Sequence, residues 1–400
     1  MAKWLEKTLG EVTAFIAKGI PPKYTEEENE NTIRVLNQKC NRNFEISYNE
    51  SRIHDCEKKK VPVDKMLRAG DVLINSTGTG TAGRVAQMVE VTVPTTIDGH
   101  MILIRPSEEL DPIYYGYAVK SFQSQIEGLA EGSTGQTEIN RRRLQDEVII
   151  RYPSDKLVQK NIGSFLANID EKIKINTEIN NNLLEQVLTL YRNKFVDTAN
   201  NERAICRADE YFDISIGKTP PRKEPQWFST NPQDVTWVSI SDMGTCGLYI
   251  SSSSEQLTKQ AVERHNVKVV PDNTVLLSFK LTIGRIAITN GEMTTNEAIA
   301  HFKTDKKEIN EYLYCYLKCF NYQTMGSTSS IATAVNSKII KGMPFVVPTN
   351  DELVEFHGFA APMFAKIKAN QIETDNLTAI RDTLLPKLMS GELDVSDIKL

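Results

Sequence analysis

Residues 155–194 read DKLVQKNIGSFLANIDEKIKINTEINNNLLEQVLTLYRNK, and within them Ile162, Ile169, Asn176, Leu183 and Leu190 return every seven residues. A sevenfold row sustained over four heptads is the seam of a coiled coil, not the 3.6-residue stripe of a helix lying on a globular core. Residues 349–388, TNDELVEFHGFAAPMFAKIKANQIETDNLTAIRDTLLPKL, carry the row again as Phe356, Met363, Asn370, Leu377 and Leu384, each 194 positions on. At ~1.5 Å per residue, about 38 residues make a rod on the order of 55–60 Å. Ser154 or Asp155 is placed to cap the first helix, and Thr349 with Glu352 forms a capping box for the second. Pro362 predicts a kink or a late start in the second helix, and Gly391 predicts its end. Asn176 and Asn370 are third of five in their rows. In an antiparallel pair related by a pseudo-twofold axis the two amides would face each other and fix register, the alternative being two solvent-facing side chains.

Working outward, the repetition extends to the whole chain. Gly132-Ser133-Thr134 recurs as Gly326-Ser327-Thr328, Gly83-Arg84-Val85-Ala86 as Gly284-Arg285-Ile286-Ala287, and Pro21-Pro22-Lys23 as Pro220-Pro221-Arg222, with shifts of 194, 201 and 199. The drift reads as small insertions within a common fold. Val72-Leu73-Ile74, Met101-Ile102-Leu103-Ile104 and Val148-Ile149-Ile150 read as strands and Tyr114 to Leu129 as a helix. Their echoes are Val275-Leu276-Leu277, Ile286-Ala287-Ile288, Phe345-Val346-Val347 and a helix from Ile309 to Phe320. The expected class is α+β: two similar mixed-sheet domains, each followed by a long helix, the helices paired as an antiparallel coiled coil. The expected boundaries are 1–153, 154–197, 198–348, 349–390 and a tail 391–400.

The chain has 400 residues, 40% of them hydrophobic, and no apolar run approaching the ~18–20 residues of a bilayer span. The opening Met1-Ala2-Lys3-Trp4-Leu5-Glu6-Lys7 lacks the apolar core of a secretion signal, and six cysteines at unrelated spacings suit a reducing compartment, so a cytoplasmic location is expected. The net charge of −5 weighs mildly against a nucleic-acid partner, although a basic patch can sit on an acidic protein.

Gly78-Thr79-Gly80-Thr81-Ala82-Gly83 has the G-x-G-x-x-G spacing after a strand, but the residues that follow alternate like a strand, where a dinucleotide site needs a helix N-terminus. The functional alternative is a hydroxyl-rich loop beside DNA, with Ser76, Thr77, Thr79 and Thr81 donating to phosphates or bases and with Arg84 and Arg285 as phosphate anchors. The bland reading is a hairpin with an internally paired arginine. Arg141-Arg142-Arg143 either reaches DNA or pairs with Asp146 and Glu147. Lys218, Arg222 and Lys223 flank Pro220-Pro221 as a rigid basic turn, and Lys280 and Lys338 are lesser candidates. Lys58-Lys59-Lys60 reads as a solvated run, and Trp227 and Trp237 as core. Asp111-Pro112-Ile113-Tyr114 only approaches the D-P-P-Y signature of adenine methyltransferases. No phosphate-binding loop of ATPases is present, Asp170-Glu171-Lys172 reads as a solvated helix edge, and no His/Cys set has zinc-like spacing. No catalytic residue and no metal ligand is expected.

The ordered set of motifs resembles the specificity subunit of type I restriction–modification systems. Gly217-Lys218-Thr219-Pro220-Pro221-Arg222, Trp237-Val238-Ser239-Ile240-Ser241-Asp242-Met243, Gly132 to Asn140 with its echo from Gly326 to Asn336, and the closing Leu385 to Val395 carry the resemblance. Gly19-Ile20-Pro21-Pro22-Lys23 is a weakened form of the opening motif. The resemblance implies a non-catalytic chain in which each target-recognition domain reads one half of a split, asymmetric double-stranded DNA site and the helices act as a ruler. It also implies two modification subunits that methylate adenine, restriction subunits that cleave, and S-adenosylmethionine, ATP and Mg²⁺ used by those partners with no cofactor on this chain. The competing reading is a two-headed scaffold for protein partners with no DNA contact. An enzyme with an unrecognised site is a third reading, disfavoured because the repeated positions are mainly Gly, Ser, Thr, Arg and Pro.

Overall fold

A computed structural model describes residues 3–132, 137–198, 203–325 and 335–393. The tips of the repeated Gly-Ser-Thr loops and the tail beyond residue 393 lie outside the described residues. The chain forms two compact units, one of Met1–Lys172 with Asn376–Leu400 and one of Ile173–Asp375, so each long helix contributes a part to each unit.

In the first unit Thr13–Lys18, Met101–Pro106, Val72–Asn75 and Val85–Gln87 form an antiparallel sheet in that spatial order. A second sheet runs Thr95–Ile97, Thr32–Leu36, Arg52–Asp55 and Tyr24–Thr25, with its first pair parallel, and Trp4–Thr8 pairs with Ile149–Pro153. The runs Val72-Leu73-Ile74 and Met101 to Ile104 are apolar at every position because their sheet is covered on both faces. Val72, Ile74, Ile102 and Ile104 point into a core with Tyr114, Ala118 and the long helices, while Leu73, Met101 and Leu103 point into another with Leu36 and Ile97.

The second unit repeats this plan. Asp213–Ile216, Ile299–Lys303, Val275–Ser278 and Ile286–Thr289 lie in order, with Tyr249–Ile250 added in parallel as a fifth strand. Phe228–Ser229, Gln256–Leu257, Val235–Val238 and Thr294–Thr295 form the other sheet, again with one parallel pair, and Ile205–Arg207 pairs with Pro344–Val346. The alternation is reproduced: Val275, Leu277, Ile286 and Ile288 enter one core, Leu276 and Ala287 another.

The helix expected from Tyr114 to Leu129 is two helices, Pro112–Ser121 and Gln123–Gly128, separated at Phe122. The near-match Asp111-Pro112-Ile113-Tyr114 is a helix start: the Asp111 carboxylate accepts from the backbone of Ile113 and Tyr114, and Pro112 needs no donor at the first position.

The long helices span Lys156–Tyr191, followed by a π-helical turn Arg192–Val196, and Asn350–Ser390. Asp155 caps the first through the Leu157 amide, and Thr349 and Glu352 close their reciprocal box. That box fixes the start of the second helix, so the late start expected at Pro362 does not occur, and the helix ends before Gly391 at φ +73°. In the first unit Ile162 and Leu166 share a core with Leu385, Leu388 and Met389, and in the second Val187 and Tyr191 pack with Phe356, Ala360 and Ile367, antiparallel in each case. Of the sevenfold rows, Ile162, Ile169, Asn176, Phe356 and Asn370 are buried, and Leu183, Leu190, Met363, Leu377 and Leu384 half-buried.

Two expectations are corrected here. Asn176 and Asn370 are buried, yet they do not face each other: Asn176 donates to Glu373 and Asn370 to Asn180, both at 2.9 Å. In an antiparallel pair a residue of one row meets a position about one turn along its partner, which staggers the two amides. Asp170, expected at a solvated edge, accepts from Tyr117 and Arg381 at 2.6 Å each and lies 3.6 Å from Lys120.

Candidate nucleic-acid interface

In both units one end of the main sheet gathers three connections. Gly19 bonds to the Met101 carbonyl and Ile20 to that of Ile97, just as Gly217 bonds to Ile299 and Lys218 to Thr295. A Cβ on Gly19 would fall inside the carbonyl oxygens of Asp98 and Ile97, and one on Gly217 inside those of Asn296 and Thr295, so both closely apposed loops require glycine. The weakened motif at Gly19 thus keeps the backbone geometry of its partner. The neighbouring turn is also shared: Asp98 accepts from the His100 amide at 2.9 Å, and Asn296 from the Ala298 amide at 3.0 Å. Next to it come residues 76–84, joining two antiparallel strands, and their shorter counterpart 279–285.

In the first unit Ser76 exchanges backbone bonds with His100 and Ile139, and Thr77 pairs with Glu138, bringing the 76–84 loop, the 98–100 turn and the strands Ala130–Glu131 and Glu138–Ile139 together. Ser76 is buried, which removes its hydroxyl from the candidate surface. Thr77 bonds to Nδ1 of His100 at 2.9 Å, Thr81 turns toward Gln38 and the Thr77 carbonyl, and Thr79 is exposed. Arg84 donates to the Gly80 carbonyl at 3.0 Å, and its counterpart Arg285 to the Ile240 carbonyl at 2.5 Å. Arg84 braces its own loop, which is the hairpin reading of that position, while Arg285 ties the 279–285 loop to the segment that follows the Val235–Val238 strand. His100 and Lys18, the latter paired with Glu138, join this surface without any sequence signal that singled them out.

Arg141, Arg142 and Arg143 open the helix Arg141–Glu147, capped by Asn140. Arg143 bridges Glu131 at 2.5 Å and Glu147 at 2.6 Å, and its guanidinium holds both carboxyls below their usual range. Arg142 lies 3.8 Å from Asp146 with its side chain 91% exposed. Arg143 therefore ties the helix to the Ala130–Glu131 strand, while Arg141 is exposed and has no ion partner among the described residues.

In the second unit Arg222 binds Glu255 at 2.8 Å and lies over the rings of Phe228 and Trp237 at 4.2 and 4.7 Å. Trp237 and Trp227 are buried, and the Trp237 indole donates to the Lys218 carbonyl. Lys218, Lys223, Lys280 and Lys338 are exposed without ion partners among the described residues. Burial pushes the Glu297 carboxyl up, but the Thr219 hydroxyl, its own backbone, Lys280 and Arg222 outweigh this and hold it below the usual range. The basic turn 218–223 and the 279–285 loop are therefore neighbours. Lys338 is placed on the separate helix Ser337–Lys341.

His301 is buried between Ser215 and Thr295 and pushed down to about 3 by burial, so it stays neutral. Among the described residues no three His, Cys, Asp or Glu side chains gather as metal ligands, the six cysteines are unpaired, and no helix is long and apolar enough to cross a membrane.

The family model described as the type I restriction modification DNA specificity domain matches residues 1–185 and 204–356. The chain is 26% identical over 184 residues to the type I restriction enzyme HindI specificity subunit of Haemophilus influenzae, covering 45% of this chain and 39% of that subunit. It is 26% identical over 315 residues to the MjaIX specificity subunit of Methanocaldococcus jannaschii, covering 72% of this chain and 69% of the relative. The crystal structure of a type I restriction–modification system S subunit from M. genitalium shares the fold, with a TM-score of 0.56, 18% identity and coverage of 97% of this chain and 96% of that one. With the family model matched in both halves, the chain belongs to the type I restriction–modification DNA specificity family.

Proposed function

We propose that this chain is the DNA sequence-specificity subunit of a type I restriction–modification complex, reading a bipartite, asymmetric double-stranded site and carrying out no chemistry itself. The observation that carries this is one scaffold presenting two different sets of tips. The glycine-anchored loops and the Asx turns coincide in the two halves, while the connections bear Thr77, Thr79 and Thr81 in one and Lys280 and Thr282 in the other. Equal frames with unequal side chains suit two unlike half-sites. Exposed Arg141, Lys218, Lys223, Lys280 and Lys338 are the candidate phosphate contacts, which position the reader, and Thr77, Thr79 and Thr81 the candidate base or phosphate donors. Arg84, Arg143, Arg222 and Arg285 act chiefly by bracing the loops.

The candidate partners are two modification subunits, which would use S-adenosylmethionine, and restriction subunits, which would use ATP and Mg²⁺. The seam helices would set the spacing of the half-sites. The test is methylome mapping with the modification subunit co-expressed, repeated after residues 205–347 are exchanged for those of a related chain. A split methylated motif that changes in one half alone is expected. Methylation with no sequence preference, or changes in both halves, would overturn the proposal.

A further inference from the structure

Leu281 is a large apolar side chain that is 100% exposed. It also holds φ +59°, a left-handed conformation that leucine rarely adopts and glycine adopts freely. Counted back from the shared Gly-Arg pair, it occupies the position of Gly80 in the first unit, which has φ +70° and open space around its Cα. Both halves hold a left-handed residue at this position, but one puts there the residue that suits it and the other puts leucine. Neither packing nor backbone preference accounts for that choice, since the side chain touches no core.

The surroundings point to the occupant. Lys280 precedes Leu281 at the same tip, and Lys280 and Arg222 both act on Glu297, whose carboxylate is already taken up by Thr219. The exposed Lys218 and Lys223 belong to the turn that carries Arg222. An apolar knob next to the exposed Lys280 fits a polyanion that displays an apolar group among its polar edges. In duplex DNA that group is the 5-methyl of thymine in the major groove.

We propose that Leu281 is a specificity-determining residue of the second recognition domain, its side chain packing on the 5-methyl group of a thymine in the half-site that domain reads. The inference rests on the DNA-reading function above. Lys280 beside it takes the adjoining phosphate, and the left-handed backbone aims the leucine outward from the loop.

The experiment uses the full chain assembled with its modification subunits. Duplexes carry the motif found by methylome mapping, and each thymine of the second half-site is replaced in turn by uracil, which lacks only the methyl group. For the wild-type complex, one replacement should weaken binding by about fourfold, the worth of one buried methyl. The Leu281→Gly complex should be indifferent to that replacement. Glycine suits the backbone, so the variant's thermal midpoint should hold or rise. Leu281→Met should retain the thymine preference. Tolerance of uracil at every position by the wild type, or an equal loss in the Leu281→Gly complex, would overturn the proposal, as would failure of that variant to assemble with its subunits, which would assign the knob to a protein partner. A wild-type complex without any split motif would instead remove the DNA-reading function itself.

Discussion

Asp71 is 1% exposed at its side chain and receives Arg105 through two nitrogens, at 2.6 and 2.8 Å, while also accepting from the Arg68 amide. A buried charge deprived of its partner is strongly unfavourable, so Asp71→Ala should cost about 3–5 kcal/mol, read from denaturant unfolding of the chain. A loss below 1 kcal/mol would mean that water reaches Arg105. At Gly217 the obstacle is steric, because the added methyl of Gly217→Ala meets the Thr295 hydroxyl and the carbonyl oxygens of Thr295 and Asn296. The expected loss is about 2–3 kcal/mol, with a displaced 218–223 turn and weakened DNA retention by the assembled complex. The same substitution at Gly19 should act likewise, since the two loops share their backbone bonds.

The helices pose a different question, in which polar groups sit inside an apolar seam. Asn370 donates to the Asn180 oxygen and Asn180 in turn to the Ile367 carbonyl, and replacing both with leucine should raise the thermal midpoint through about 1–2 kcal/mol of added apolar burial. It should also broaden the register that the amides fix, and an unchanged or lower midpoint would argue that this layer is wet. Nearby, burial pushes the Lys120 ammonium down to about 8 despite the attraction of Asp170, with Arg381 adding repulsion. The unfolded chain holds that proton up to about pH 10.5, so between these values the folded state binds fewer protons and stability rises with pH. On the order of 3 kcal/mol is regained across that window, being absent below pH 8. Stability curves of wild type and Lys120→Met from pH 7 to 10.5 should differ by this slope, and parallel curves would refute it.

For the molecule as a whole, charge sets the behaviour toward DNA. The net charge is −5, and several cations of the candidate surface are engaged internally. The chain alone should therefore bind duplex weakly, and the complex with modification subunits tightly, with affinity falling steeply as salt rises. Titration of both at one ionic strength checks this, and equal affinities would contradict it. Salt-independent retention would favour a protein scaffold over a DNA reader.

Much of this organisation is written in local pattern. The duplicated order, the sevenfold seam, the capping box at Thr349 and the helix end at Gly391 are visible in sequence, because each depends on residues a few positions apart. The two-sided burial of the central strands also shows, as unbroken apolar runs. What folding alone decided are relations between distant residues. Asn176 meets Glu373 and not Asn370, Asp170 becomes the centre of a polar cluster, and Ser76 is buried while Leu281 stands clear. The sequence lists which arginines exist, but whether a guanidinium braces a loop or faces a phosphate depends on which carbonyl or carboxylate the fold brings within 3 Å of it. That is a property of three-dimensional proximity, and spacing along the chain does not encode it.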